Sequence, residues 1–368
     1  MTYEVIVAGG GPAGAVAALV LARAGRRVLL VDKSTCGPGS APFRIGETLP
    51  PAARPLLHDL GLWPEFAAAP HLRCVGTYAS WGSETLHGHS HLHDPHGHGW
   101  HLDRTRFDAF LRRSAEAAGA EVRRAEAVPH RTHAGDRRVL IRAGGRLGEE
   151  RCEWLVDATG RRAVIGRRRG RRRKQDRLVA AYALFGRRLP GHRSEDTELR
   201  TLVEAVPGGW WYTARVPAGR LVAHLTDTDL TDSALRTAEG FLDAIGDTRH
   251  VRTRLDGYHP ACAPVPRWTA AYGLRLDPAA GPGWIAAGDA ALAFDPLSSQ
   301  GILNALHTGA RAGLTVDRCL SGRPAALADY SRFLERITDA YERHHAETYG
   351  QERRWPGHTF WQRRQHAH

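Results

Sequence analysis

Two carboxylates stand where proton chemistry could be done. Glu47 lies in FRIGETLPP (Phe43 to Pro51), and Asp295 precedes Pro296 in GDAALAFDPLSSQGILNAL (Gly288 to Leu306). Glu47 can orient or deprotonate a substrate N–H or O–H, or it can cap a helix beginning at Pro50 or Pro51. Asp295 can face a substrate or simply form the turn. Either role needs a scaffold that holds a reactive partner, so the elements around them come next.

Tyr3 to Val7 reads as a buried strand. It runs into Gly9, Gly11 and Gly14 in the spacing G-x-G-x-x-G, followed by an Ala- and Leu-rich helical stretch that opens with Pro12 and Ala13. A second strand, Arg27 to Val31, ends at Asp32 and Lys33. Strand, glycine turn, helix, strand and terminal acid together form a dinucleotide-binding unit. Gly9 permits the tight turn, Gly11 lets backbone approach a pyrophosphate, and Gly14 allows close helix packing. The helix N-terminus attracts the phosphates, and Asp32 sits where a carboxylate accepts ribose hydroxyls. NAD and FAD both use this unit.

Later segments distinguish the two. FRIGETLPP is followed by an amphipathic stretch from Ala52 to Leu62. In GWHLDRTRFDAFLRR, Asp103 can cap a helix with Phe107, Phe110 and Leu111 on one face. CEWLVDATGRRA gives a strand ending at Asp157, and an apolar strand from Trp284 runs into Gly288-Asp289. This order resembles FAD-dependent monooxygenases with the glutathione-reductase type of flavin domain. The resemblance implies that Gly288 and Asp289 hold the FAD ribityl chain. It also implies that Pro296, Ser299, Gln300, Gly301, Ile302 and Asn304, on the following loop and helix N-terminus, surround the flavin ring, and that Arg44 and Arg104 lie near the phosphates and dinucleotide.

Within that class, GETLPP, GWWYTARVPAGR, DPLSSQG and ERRWPGHTFWQRR resemble the branch of the flavin-dependent tryptophan halogenases. The pattern is most similar to short flavoproteins that modify tryptophan during maturation of quinone-containing amine and amino-acid oxidases. The resemblance implies a monooxygenase in which reduced FAD activates O2 and passes oxygen to an electron-rich ring. The ring would be indole or tryptophan, carried by an aromatic small molecule or by a peptide or protein. Electrons would come from NAD(P)H or a separate flavin reductase. Halogenation fits less well: halogenases carry W-x-W-x-I-P, whereas Trp210 to Pro217 is spaced differently, and the lysine they need is absent from CVGTYASWGSETLHGH. A dehydrogenase or reductase, or a non-catalytic maturation partner, stays open. Alternation puts Trp210 and Tyr212 on one strand face and Trp211 on the other, so Trp210 and Tyr212 either wall a substrate pocket or pack in the core.

The expected architecture is α/β: a discontinuous Rossmann-like FAD-binding domain (1–75, 101–175, 270–320), an inserted β-sheet substrate domain (76–100, 176–269), and a C-terminal helix with an aromatic, basic tail (321–368). A stripe of Leu327, Tyr330, Phe333, Leu334, Ile337 and Tyr341 makes that helix a core element. The tail either folds back over the cleft or stays exposed to a partner. His87, His89, His91 and His93 alternate as if along one strand side, but the Gly- and Pro-rich context argues for adventitious metal binding rather than a working site. The five scattered cysteines imply neither a disulfide framework nor a zinc site.

The formal charge of +12 is concentrated in RRAVIGRRRGRRRK, Arg161 to Lys174. Without interleaved aromatics the run does not read as a nucleic-acid site. It is either a solvated face or a source of positive potential for an anionic cofactor or acidic partner. No apolar run approaches the roughly 20 residues of a membrane helix. The first residues enter a strand directly instead of a secretory leader, so a cytoplasmic protein is expected.

Overall fold

A computed structural model describes residues 3–33, 43, 45–128, 138–186, 196–258 and 264–365. Arg44, Cys36 and Cys262 lie outside them; the described cysteines, Cys74, Cys152 and Cys319, are free thiols.

Tyr3–Ala8 is central to a largely parallel sheet. Its strands run in the order Ala280–Gly281, Trp284–Ala286, Arg146–Asp157, Tyr3–Ala8, Val28–Asp32 and Glu121–Arg124. Register is set by pairs such as Val5 with Trp154 and Val28, and Asp157 with Ala286. Helices cover the sheet, so its inner strands are continuous apolar runs instead of alternating ones. Helix Pro12–Arg23 packs between Arg104–Ala117 and Gly301–Leu320. Its contact with Gly301–Leu320 is backbone to backbone: a Cβ on Gly309 would stand 2.2 Å from the Ala13 carbonyl oxygen. Only a residue without a side chain fits there. Asp103 caps Arg104–Ala117 by accepting from the Arg106 amide, and Phe107, Phe110 and Leu111 are its buried face, as the sequence predicts.

A second sheet has seven strands, in the order Arg267–Ala270, Leu178–Phe185, Gly219–Asp227, Gly209–Val216, Thr201–Val206, Gly76–Ser80 and His87–Ser90. The predicted alternation holds. Trp211 packs with Leu235, Phe241 and Ile245 on one face, whereas Trp210 joins Tyr349, Phe360 and Trp361 on the other. The histidine alternation does not persist. The strand ends at Ser90, whose hydroxyl accepts from the Leu92 amide and turns His91–His93 into a 3-10 helix. Among the described residues no cluster of His, Cys, Asp or Glu could hold a metal.

Helix Ala326–Gln351 buries Tyr330, Leu334 and Tyr341 of the predicted stripe, with Leu327, Phe333 and Ile337 part-buried. The chain then folds back. Helix Thr359–Gln365 buries Phe360, Trp361 and Arg364, and the Trp361 indole donates to the Val206 carbonyl at 3.0 Å. Asp227, itself buried, accepts from Arg364 at 2.7 Å and from Arg363 at 2.8 Å. The tail is therefore part of the core. No helix among the described residues is long and apolar enough to cross a membrane.

Candidate active site

The glycine turn has the geometry its spacing predicts. A Cβ on Gly9 (φ +102°) would meet the Ala158 oxygen at 2.3 Å, and one on Gly14 would meet the Gly9 oxygen at 1.8 Å. At Gly11, by contrast, nothing lies within 4 Å of where a Cβ would stand. The turn is closed at Gly9 and Gly14, where the chain packs, and open at Gly11. Pro12 and Ala13 begin the helix behind it. Asp32 accepts the Gly10 amide at 2.5 Å, Arg112 donates to the Gly10 carbonyl at 3.1 Å, and Lys33 is exposed beside them. Gly11→Val should leave the apoprotein's melting temperature nearly unchanged. FAD affinity should fall on the order of 100-fold, as one or two amide–phosphate hydrogen bonds are lost. Calorimetric titration with FAD checks the second point; unchanged affinity would remove Gly11 from the site.

At the other end of the helix pair, strand Trp284–Ala286 runs into Gly288 (φ +59°), whose amide donates to the Thr308 hydroxyl at 2.8 Å. The part-exposed Asp289 carboxylate accepts from Arg161 at 2.9 Å. Arg161 also donates to the Phe294 carbonyl at 3.1 Å and the Tyr272 carbonyl at 3.4 Å, clamping the whole loop. Sequence reading assigned Arg161 only to a basic run. The missed signal was topological: Asp157 and Ala286 are register partners on adjacent parallel strands, so the loops leaving them must meet.

The loop continues through the short 3-10 turn Pro296–Ser298 and the left-handed Ser299 (φ +51°) into helix Gly301–Leu320. Gln300 precedes that helix without a side-chain cap, and the Cβ position of Gly301 is open. The first helical N–H groups therefore point to the site without an intrahelical partner. Ile302 is buried below. Asn304 is buried too; its amide nitrogen reaches the Leu292 carbonyl at 3.5 Å, whereas its Oδ1 has no partner among the described residues. An open phosphate turn, an orphaned buried acceptor and an uncapped helix end fit a dinucleotide with a hydrogen-bonding ring at its far end.

Strand Thr48–Leu49 packs against the same helix and carries Glu47 to it. Glu47 is buried and caps no helix: Ala52 precedes helix Ala53–Asp59 without a side-chain cap. Its carboxylate accepts the Tyr212 hydroxyl at 2.5 Å and the Gly46 amide at 2.8 Å, and Thr48 Oγ1 lies 3.0 Å from the same hydroxyl. Burial pushes the Glu47 pKa up, against the pull of Tyr212, the backbone amides and Arg104. The Tyr212 hydroxyl is also raised, by burial and by Glu47. Arg104 donates to the Asp108 carboxylate at 3.2 Å and to the Gly46 carbonyl at 2.5 Å.

Asp295 does form the turn, accepting the Leu297 amide at 2.8 Å, and it is wholly buried. Its other oxygen accepts the Tyr349 hydroxyl at 2.8 Å and lies 3.5 Å from His345 Nε2, while Trp210 donates its indole N–H to Tyr349 at 3.1 Å. Burial opposes ionisation of Asp295, but His345, the Leu297 amide and Arg364 hold its carboxyl below the usual range. Trp210 thus sits in a packed cluster, joined to the loop through Tyr349.

Comparison with known proteins identifies the family and the fold. The chain is 28% identical over 374 residues to the FAD-dependent oxidoreductase LodB of Marinomonas mediterranea, covering 99% of this chain and 97% of that one. It is 31% identical over 352 residues to a menaquinone reductase of Mycobacterium tuberculosis, covering 89% and 80%. Among solved structures, the myxobacterial chondrochloren halogenase CndH superposes with a TM-score of 0.84 at 24% identity, covering 99% of this chain and 86% of that one. The peptidyl tryptophan dihydroxylase QhpG superposes at 0.78 and 24%, covering 99% and 79%. At that identity these two show the fold alone. The family model for an FAD binding domain matches residues 2–220, more than half the chain, and the protein belongs to that family as an FAD-dependent enzyme with the halogenase-like fold.

Proposed function

We propose that this flavoenzyme hydroxylates an electron-rich aromatic ring, indole or tryptophan, borne by a small molecule, a peptide or a protein. The observation that carries the reading is the buried Glu47–Tyr212 couple, on a strand packed against the helix whose N-terminus is suited to the flavin ring, in a chain whose two lysines lie elsewhere. The chain's lysines, Lys33 and Lys174, are both exposed, which disfavours a halogenase. QhpG, which shares the fold, is a peptidyl tryptophan dihydroxylase and supports the hydroxylase reading.

Gly9 to Gly14 and Asp32 hold the phosphates and ribose, Asp289 the ribityl chain, and Gln300, Gly301 and Asn304 the ring edge. Bound FAD, reduced by NAD(P)H or a separate flavin reductase, supplies the oxidising chemistry with O2. The Glu47 carboxyl orients the ring or takes the proton from its N–H or new O–H, with the Tyr212 hydroxyl and the Gly46 amide fixing the carboxyl and Thr48 holding the Tyr212 hydroxyl. Asp295 holds the loop through Leu297 and Tyr349, and the packed sheet face excludes water.

Mass spectrometry of aerobic reactions with FAD, NADH, a flavin reductase and bromide tests this, with tryptophan, indole, tryptophan-bearing peptides and a quinone offered in parallel. The expected result is oxygen gained on an indole-bearing species without bromine. Bromination would make the protein a halogenase. Quinone reduction without oxygenation would favour the reductase reading that the mycobacterial relative supports.

A further inference from the structure

The cationic run absorbed by neither cofactor nor core forms a defined surface. Strand Arg171–Lys174 ends a three-stranded sheet, paired only with Leu274–Asp277, which pairs in turn with Leu292–Ala293. Its outer edge has no strand partner among the described residues. Arg171, Arg173 and Lys174 are exposed on it, with Arg167 and Arg168 on the turn before it. Arg173 stands directly opposite Arg275, a like-charge pairing that costs stability in a sheet. Arg173 reaches Asp277 at 3.4 Å, but among the described residues Arg167, Arg168 and Arg171 meet no carboxylate. The fold thus concentrates positive charge it does not neutralise.

This edge adjoins the candidate active site. Leu274 is register partner to Lys174 on one side and to Ala293, in the short strand after Asp289, on the other. At the usual strand spacing Lys174 and Ala293 are about 10 Å apart. Lys174 also lies 4.2 Å over the Tyr272 ring, and the Tyr272 carbonyl accepts from Arg161, the residue that grips Asp289. Arg172 donates to the Arg161 carbonyl at 2.5 Å.

The chemistry of the edge selects among polyanions. Single-stranded nucleic acid would call for a row of interleaved aromatic stacking partners, and Arg161 to Lys174 contains none; duplex DNA, which cations alone can hold through its phosphates, is separated by the test below. An anionic membrane would call for apolar residues beside the cations. The exposed large apolar side chains, such as Leu92, Val265 and Trp268, belong to other segments. An extended polypeptide fits both features, since it can lie along a free strand edge and place carboxylates against the arginines.

We propose that the edge formed by Arg167, Arg168, Arg171, Arg173 and Lys174 docks an acidic segment of the protein that presents the ring to be modified. The inference rests on the protein-borne form of the hydroxylase reading. Its test is binding of fluorescein-labelled decaglutamate to the full-length, FAD-loaded protein by fluorescence anisotropy, beside a short DNA duplex and phosphatidylserine vesicles. The peptide should bind most tightly of the three, and less so as salt rises. The triple variant Arg167→Gln/Arg168→Gln/Arg171→Gln should weaken peptide binding roughly tenfold or more. The corresponding triple Lys variant should retain it, and both should keep the wild-type flavin spectrum. Equal peptide affinity in the triple Gln variant, or tighter binding of DNA or vesicles, would overturn the proposal. The two readings separate cleanly: absence of ring oxygenation in every form leaves the peptide result standing, whereas loss of peptide selectivity leaves free-tryptophan turnover standing.

Discussion

Glu47→Gln is expected to lower the rate of ring hydroxylation roughly 100- to 10,000-fold, the range assigned to a positioned general base, with little change in FAD affinity. The amide keeps the shape of the carboxyl and can still accept the Tyr212 hydroxyl, but it cannot take a proton. The same substitution has a signature in stability. Burial raises the folded-state pKa of Glu47 above its ordinary 4.5, so between those values the native state holds a proton that the unfolded chain releases. The contribution of this group is therefore complete below about pH 4.5 and declines as pH rises through the folded value. Gln carries no such dependence, so the variant should gain stability relative to wild type as pH increases from 4.5. Steady-state kinetics and urea unfolding across pH measure both. A rate loss of only about twofold would remove Glu47 from the chemistry, as catalytic proton transfer contributes far more.

Asp227→Ala should carry the largest stability cost, about 3–5 kcal/mol, because it removes one side of a buried ion pair and leaves the other charged. Arg364 is only 4% exposed and lies 3.7 Å from the Phe360 ring centroid, so its guanidinium has no route to water without displacing the tail. Urea unfolding should show the loss, and limited proteolysis should cleave after the exposed tail arginines. Asp227→Ala/Arg364→Met should recover most of the loss, since an apolar replacement removes the orphaned charge. A loss below about 1 kcal/mol in the single variant would mean that the pair behaves as an exposed one.

What the sequence disclosed follows from the range of its signals. Gly9, Gly11, Gly14 and Asp32 act through a contiguous turn, and their spacing was enough to recognise it. The opposite faces of Trp210 and Trp211 follow from the two-residue period of a strand, and the Asp103 cap from local hydrogen bonding. Glu47 and Tyr212 are 165 positions apart, and Arg161 and Asp289 are 128 apart. Neither pair is implied by local periodicity; each depends on strand order and on which loops share a sheet edge. The tail was ambiguous for a related reason. Its aromatic residues fit an exposed docking segment or a buried helix equally well until Asp227 supplies a partner for Arg364. The histidine run failed at one residue, because Ser90 offered the backbone a turn that competed with the strand.

The glycine contact between helices Pro12–Arg23 and Gly301–Leu320 makes the enzyme a gauge of ligand length. With Gly309 seated on the Ala13 backbone, the glycine turn and the N-terminus of helix Gly301–Leu320 are held at a fixed separation and cannot draw together to suit a shorter molecule. FAD links a dinucleotide and a flavin head in one covalent span, so once one end is seated the other binds at a high effective concentration. FMN lacks the adenylate half and loses that tethering. In the proposed site, the spacing of the two helices favours FAD over FMN before any side chain touches the adenine.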